Sequence, residues 1–218
     1  MTRSAARALM AAAVAAVASA ADCNVNLLTK GFPECQQACE EWCWATIVGE
    51  FEEYYRVSPL LRERPGVTPQ CRHDECSVAS EAFGTDCCTG EPGGCMTGKK
   101  PCGLPMMASN ISTFLQRRVP SAGRWQLHEG IPEESTVASL LKAGHPIGRL
   151  VPGHIDAIVA CRPGKSGQTE YRLADSLVPD GLGLWFPNYT FMMEVPFAPG
   201  QAVYGLIYAK PEAADIVV

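Results

Sequence analysis

The sequence predicts an α+β domain in which an N-terminal helical half packs on a C-terminal antiparallel β-sheet, with a dense disulfide framework. Three observations carry this. Apolar residues recur at helical spacing between Cys43 and Gly144, the period changes to two after Gly144, and eleven cysteines are spread over 218 residues. A period near 3.6 lines one face of a helix, and a period of two lines one face of a sheet.

In chain order, residues 1–20 read as a signal peptide. Arg3 and Arg7 form a positive start, residues 8–17 a short apolar run, and Ala18-Ser19-Ala20 a small-residue cleavage signature. The run is too short and too rich in alanine to span a bilayer. Cleavage after Ala20 leaves residues 21–218 as one domain, and no large inhibitory prodomain is expected before the motif described below. Residues 21–34 lack periodicity and are expected to form an arm tied down through Cys23 or Cys35. Trp44, Ile47, Val48, Phe51 and Tyr55 form the stripe of a core-facing helix over 43–55, with Glu50, Glu52 and Glu53 off that stripe. A loop with a Pro65-Gly66 breaker follows over 59–71, then a short helix over 77–83 that ends at Gly84. Residues 85–103 are rich in glycine, proline and cysteine, and need bridges to be ordered. Met107, Ile111, Phe114 and Leu115 mark a third helix, stopped by Pro120. Pro132, Val137, Leu140 and Leu141 mark a fourth, ending at Gly144. Strands are expected over 146–151, 154–161, 169–174, 189–195 and 202–209, separated by Pro-Gly or Gly-rich turns.

The cysteines stand at 23, 35, 39, 43, 71, 76, 87, 88, 95, 102 and 161. Behind a signal peptide they read as bridges formed in an oxidising compartment, so the chain is expected to be secreted or to reside in the endomembrane lumen. The count is odd, which leaves one thiol over. Adjacent Cys87 and Cys88 should pair with different partners, because a bridge between neighbours strains the backbone. Loss of Arg3 and Arg7 changes 18 basic and 23 acidic residues to 16 and 23, a net charge of −7. That balance argues against nucleic acid or an anionic membrane as partner, both of which need a basic footprint. Asn110-Ile111-Ser112 and Asn188-Tyr189-Thr190 are glycosylation sequons, meaningful if the chain passes through a eukaryotic secretory pathway.

The chemistry-bearing residues are Gln37, Cys43-Trp44-Ala45, Gly153-His154 and Asp175. Cys43 opens the first helix, where unpaired N–H groups and the positive end of the dipole favour a thiolate. Cys39 lies one turn away, but no glutamine precedes it at the matching distance. The four-residue spacing of Cys35, Cys39 and Cys43 is unlike the tight paired knuckles of structural zinc sites, so no metal is expected. His154 opens an apolar strand, whereas His73 lies in a polar loop and His128 and His145 flank helical segments. Asp175 follows the next strand; Asp180 and Asn188 are alternatives, and Asp156 is close to His154 in sequence.

A Gln, five intervening residues and Cys-Trp-Ala, followed far downstream by a strand histidine and an acid, resembles the papain-like cysteine peptidases. An Asp as third member is more similar to the double-glycine leader peptidases and bacterial effector proteases of that fold. The resemblance implies a peptidase acting on peptide or protein substrates, with no cofactor. Cys43 would be the nucleophile, His154 the base, Asp175 the group that orients it, and Gln37 with the Cys43 N–H the oxyanion donors. The same thiol chemistry serves acyl transfer or deamidation, and an inactive disulfide-rich binding protein could keep the fold.

Overall fold

A computed structural model describes residues 22–56, 71, 74–88, 101–178, 184–194 and 203–210. The signal-peptide segment, the 59–70 loop, His73, Cys95 and Asp180 lie outside the described residues.

Among the described residues, five α-helices and seven strands follow the order β1 (Val25–Asn26), α1 (Cys43–Arg56), α2 (Glu75–Phe83), α3 (Ala108–Arg118), β2 (Arg124–Glu129), α4 (Glu134–Lys142), β3 (Ile147–Val151), β4 (His154–Pro163), β5 (Thr169–Ala174), β6 (Trp185–Phe186), α5 (Tyr189–Glu194) and β7 (Gly205–Lys210). The strands form one sheet in the order β2-β7-β3-β4-β5-β6, with β1 paired to the far end of β4, and every pairing is antiparallel. The first four helices and the long strands β3, β4, β5 and β7 follow the sequence pattern closely.

Two elements and one side chain depart from it. Residues 189–194 form helix α5 rather than a strand. Asn188 explains the change: its Oδ1 accepts the Phe191 N–H at 2.7 Å, the contact of a helix N-cap, while Met192 and Met193 are buried. Residues 124–129, including His128, form strand β2, which pairs along its whole length with β7. Its burial is incomplete, as suits an edge strand, so no clean alternation announces it. Glu50 is the third: it is 1% exposed.

Glu50 is buried because α1 is covered on nearly all sides. Every residue from Cys43 to Phe51 is buried, and the helix packs against α2, α3 and β4. Phe51 stacks on Trp125 at 5.3 Å, and Trp44 meets the edge of Phe83 at 5.6 Å. Such buried aromatics remove large apolar areas from water, each contributing roughly 1.5–3 kcal/mol. α3 is amphipathic by contrast. Ile111, Phe114 and Leu115 face the core, and Arg118 reaches back to Glu52 at 2.6 Å and to Glu81.

All five residues of β3 and the first eight of β4 are buried, so both faces of the sheet centre are covered. Val151 and His154 are cross-strand partners, leaving Pro152-Gly153 as the two-residue turn between them. Gly153 has φ 78°, the left-handed value a proline-glycine turn requires at its second corner. A side chain at 153 would meet nothing within 4 Å, so the glycine serves the turn rather than clearing space for a cleft. This turn fixes His154 as the first residue of β4.

Four bridges tie the described parts together: Cys23–Cys161, Cys35–Cys71, Cys76–Cys88 and Cys87–Cys102. Cys39 is also disulfide-bonded. The N-terminal arm is anchored through both Cys23 and Cys35, and Cys87 and Cys88 take different partners. These bridges are compatible with an oxidising location. Among the described residues, no helix is long and apolar enough to cross a membrane.

Candidate active site

Among the described residues the free cysteine is Cys43, buried as the first residue of α1. Its backbone N–H belongs to the first turn, where no intrahelical acceptor exists, so it points out of the helix end. Glu40 and Glu41, just before it, are exposed and turn away to solvent.

His154 and Asp175 converge on this sulfur from the sheet. Ala157 pairs with Ala174, so Asp175 lies one step beyond that pair, diagonal to His154 across β4 and β5. Diagonal neighbours on one sheet face are within reach of long side chains. The His154 Nε2 lies 2.9 Å from Asp175 Oδ1, and both residues are buried. Cys43 is the second hydrogen-bonding neighbour of the imidazole, which leaves Nδ1 as the nitrogen facing the sulfur. Burial disfavours the imidazolium, but the hydrogen bonds and negative charges of Asp175 and Cys43 outweigh it. Together they push His154 up from 6.5 to about 10. The imidazole is therefore held in its charged form across the physiological range. Asp175 also accepts the Leu177 N–H at 3.0 Å, which fixes the carboxylate.

Gln37 approaches from the loop before α1. Its N–H donates to the Ser176 carbonyl at 3.0 Å, and its Oε1 accepts the Ser176 hydroxyl at 2.8 Å. The loop is thereby joined to the residue next to Asp175. Its Nε2 donates to the carbonyls of Cys39 (2.9 Å) and Glu40 (2.8 Å). Since carbonyls only accept, the amide orientation is fixed, and both amide hydrogens are committed to the loop rather than standing open beside the Cys43 N–H. Gln36, its neighbour, is exposed.

The alternatives stand elsewhere. Asn188 caps α5 and donates to Gln168 at 3.3 Å. His145 is bonded to the Tyr55 hydroxyl at 2.9 Å, and His128 lies on edge strand β2. Asp156 is buried opposite Arg149, whose guanidinium grips both its oxygens. Burial raises the Asp156 carboxyl, and the guanidinium opposes that rise. His154, Asp156 and Asp175 offer donor atoms within 4.8 Å of one another. Arg149 already neutralises Asp156 and His154 takes Asp175, so the donor set is an internal ion-pair network rather than a cation cage.

Three neighbours of the site had no motif to reveal them. Ser176 ties Gln37 to the Asp175 corner. Arg149 holds Asp156 and also donates to the Met192 carbonyl, tying β3 to α5. Tyr204, half exposed just before β7, is close enough to feel the charge of Cys43; burial and that charge both raise its hydroxyl. A two-residue turn ahead of β4 and a polar residue after β5 were the available signals for the sheet side, and both lay in the sequence.

No family model matches the chain, and no curated protein matches it in sequence. Among solved structures, it is similar to a presumed C39-like peptidase from Bacillus anthracis, with a TM-score of 0.52 and 16% identity. The match covers 87% of this chain and 98% of that one. At that identity the likeness speaks to the fold alone: helices packed on an antiparallel sheet.

Proposed function

We propose that this protein is a secreted or endomembrane-lumen thiol peptidase of papain-like type, with Cys43 as nucleophile, His154 as its base and Asp175 as the orienting acid. The supporting observation is the convergence of one unbridged thiol with a histidine whose other nitrogen is held by a buried carboxylate. Three residues this far apart in sequence have no packing reason to meet.

In the first half-reaction the Cys43 sulfur attacks the scissile carbonyl carbon, forming the S–C bond, and the carbonyl electron pair moves to oxygen. The Cys43 N–H receives that oxygen, joined by the Gln37 amide if it turns away from the loop carbonyls. The electron pair returns, the C–N bond breaks, and His154 gives its proton to the leaving amine. In the second half His154 takes a proton from water, and hydroxide displaces the thiolate from the thioester. Asp175 keeps Nε2 protonated and the ring aimed throughout.

The test combines active-site alkylation with a fluorogenic peptide library. Iodoacetamide should label Cys43 selectively, and Cys43→Ser should abolish both labelling and cleavage. Labelling without cleavage, but with transfer of an acyl group to an added amine, would move the reading to acyl transfer. No selectively reactive cysteine would end it.

A further inference from the structure

Two buried carboxyls reach the loop ahead of Cys43 from different helices. Glu50, on α1 two turns after Cys43, accepts the Cys35 N–H through Oε1 at 2.7 Å. Glu75, the first residue of α2, accepts the Ala38 N–H through Oε2 at 2.9 Å, with the Thr46 hydroxyl beside it. Between these two points Gln37 makes its paired bonds to Ser176. Residues 35–38 belong to no helix or strand, so no ladder supplies acceptors for these donors.

The arrangement is costly. Glu50 and Glu75 are 1% and 7% exposed. The second oxygen of Glu50 is buried with no hydrogen-bond partner among the described residues. A carboxyl in a helix otherwise packed with Trp44, Ile47 and Phe51 has no reason to be there for the core alone, since an apolar side chain of that size packs without loss. What it supplies is an acceptor at a defined point of the loop.

We propose that Glu50 and Glu75 are positioning residues that clamp the 35–38 loop, fixing Gln37 and the chain's entry into Cys43 relative to the Asp175 corner. This rests on the thiol-peptidase reading of the same site. The clamp joins α1, α2 and the Asp175 corner at the loop, so that the oxyanion donors, Gln37 and the Cys43 N–H, keep their place when substrate enters.

The test uses the full oxidised chain with Glu50→Leu, Glu75→Ala, Glu50→Gln and Glu75→Gln. Glutamine keeps the oxygen acceptor without the acid; leucine and alanine remove it. Three quantities are read: kcat and KM on a fluorogenic peptide, the iodoacetamide alkylation rate of Cys43, and amide hydrogen exchange at Cys35 and Ala38. The acceptor-less variants should lower kcat by up to about 10²-fold, the scale of a small misplacement in an active site, with KM and alkylation unchanged. The glutamine variants should recover kcat. Exchange at Cys35 should quicken in Glu50→Leu and at Ala38 in Glu75→Ala, and return to slow in the glutamine variants. If Glu50→Leu fails to fold, the less deeply buried Glu75 carries the test. Unprotected Cys35 and Ala38 amides in the wild type would overturn the clamp, as would folded acceptor-less variants with wild-type kcat. An alkylation rate that falls in step with kcat would reduce the effect to general damage. If the wild type cleaves no peptide, the peptidase reading fails separately, and the exchange data still decide the clamp.

Discussion

Replacing Asp175 by Asn isolates the charge that holds the histidine. Asparagine keeps an oxygen toward His154 Nε2, so the 2.9 Å contact can persist while the negative charge is lost. In the wild type His154 rises from 6.5 to about 10 against the opposing effect of burial. That rise corresponds to about 5 kcal/mol favouring the imidazolium, shared between Asp175 and Cys43. Because that rise is net of burial, which opposes it, loss of the Asp175 charge should bring the value down. Two measurements follow. In the proposed mechanism the alkaline limb of kcat/KM reports loss of the proton that His154 gives to the leaving amine, and it should move from near pH 10 to lower pH. Stability gives an independent check. A histidine raised in the folded state adds stability that is complete below its unfolded value and is lost as pH rises through its folded value. The wild type should therefore lose stability between about pH 6.5 and 10, and Asp175→Asn should flatten that slope. If the alkaline limb and the slope are the same in both proteins, Asp175 does not hold the imidazolium and its role as orienting acid falls.

Other perturbations bear on separate parts of the molecule. Gln37→Ala should lower kcat by roughly 10²–10³ with little change in KM if the amide turns to meet an oxyanion; a wild-type kcat would confine Gln37 to bracing the loop. Arg149→Leu leaves Asp156 buried without its partner and should cost about 3–5 kcal/mol, read as a lower denaturation midpoint, whereas the double variant Arg149→Leu/Asp156→Leu should recover much of it. Recovery failing in the double variant would mean the pair is needed for its bonds to α5 and not only for charge balance. Replacing Cys23 and Cys161 by Ser opens a loop with a sequence separation of 138 and should cost about 2–5 kcal/mol, measured by thermal unfolding of the otherwise oxidised protein.

How much of this was legible in the sequence depended on whether the deciding contact was local. Helix α1 and its cysteine announced themselves through spacing, and Pro152-Gly153 announced the turn that starts β4, because turn chemistry needs only two residues. Asp175 could be placed at a strand end for the same reason. The segment 189–194 misled because Tyr189, Phe191 and Val195 alternate like a strand, while the feature that made it helical, the Asn188 cap, is a single polar contact to the next turn. Strand β2 was invisible because its partner is β7, about eighty residues downstream in a pairing that only tertiary structure supplies.

Glu50 shows the limit most directly. A stripe drawn from Trp44, Ile47, Val48 and Phe51 assumes a helix with one wet face, and on that assumption a glutamate goes to water. α1 has almost no wet face along its first nine residues, so residue type stops reporting position. The governing fact is instead a donor count on another segment: Cys35, Gln37 and Ala38 each carry an N–H in a loop that no strand flanks, and each N–H finds an acceptor outside that loop. Two of the three acceptors are acids on helices, and the third is the residue after Asp175. A loop satisfied in that way is held from three directions at once, and it is the same loop that delivers the chain to Cys43. The buried acids are thus legible only from the demands of the segment they serve, which is why the candidate thiol, histidine and aspartate could be proposed from motifs while the acids that brace the 35–38 loop could not.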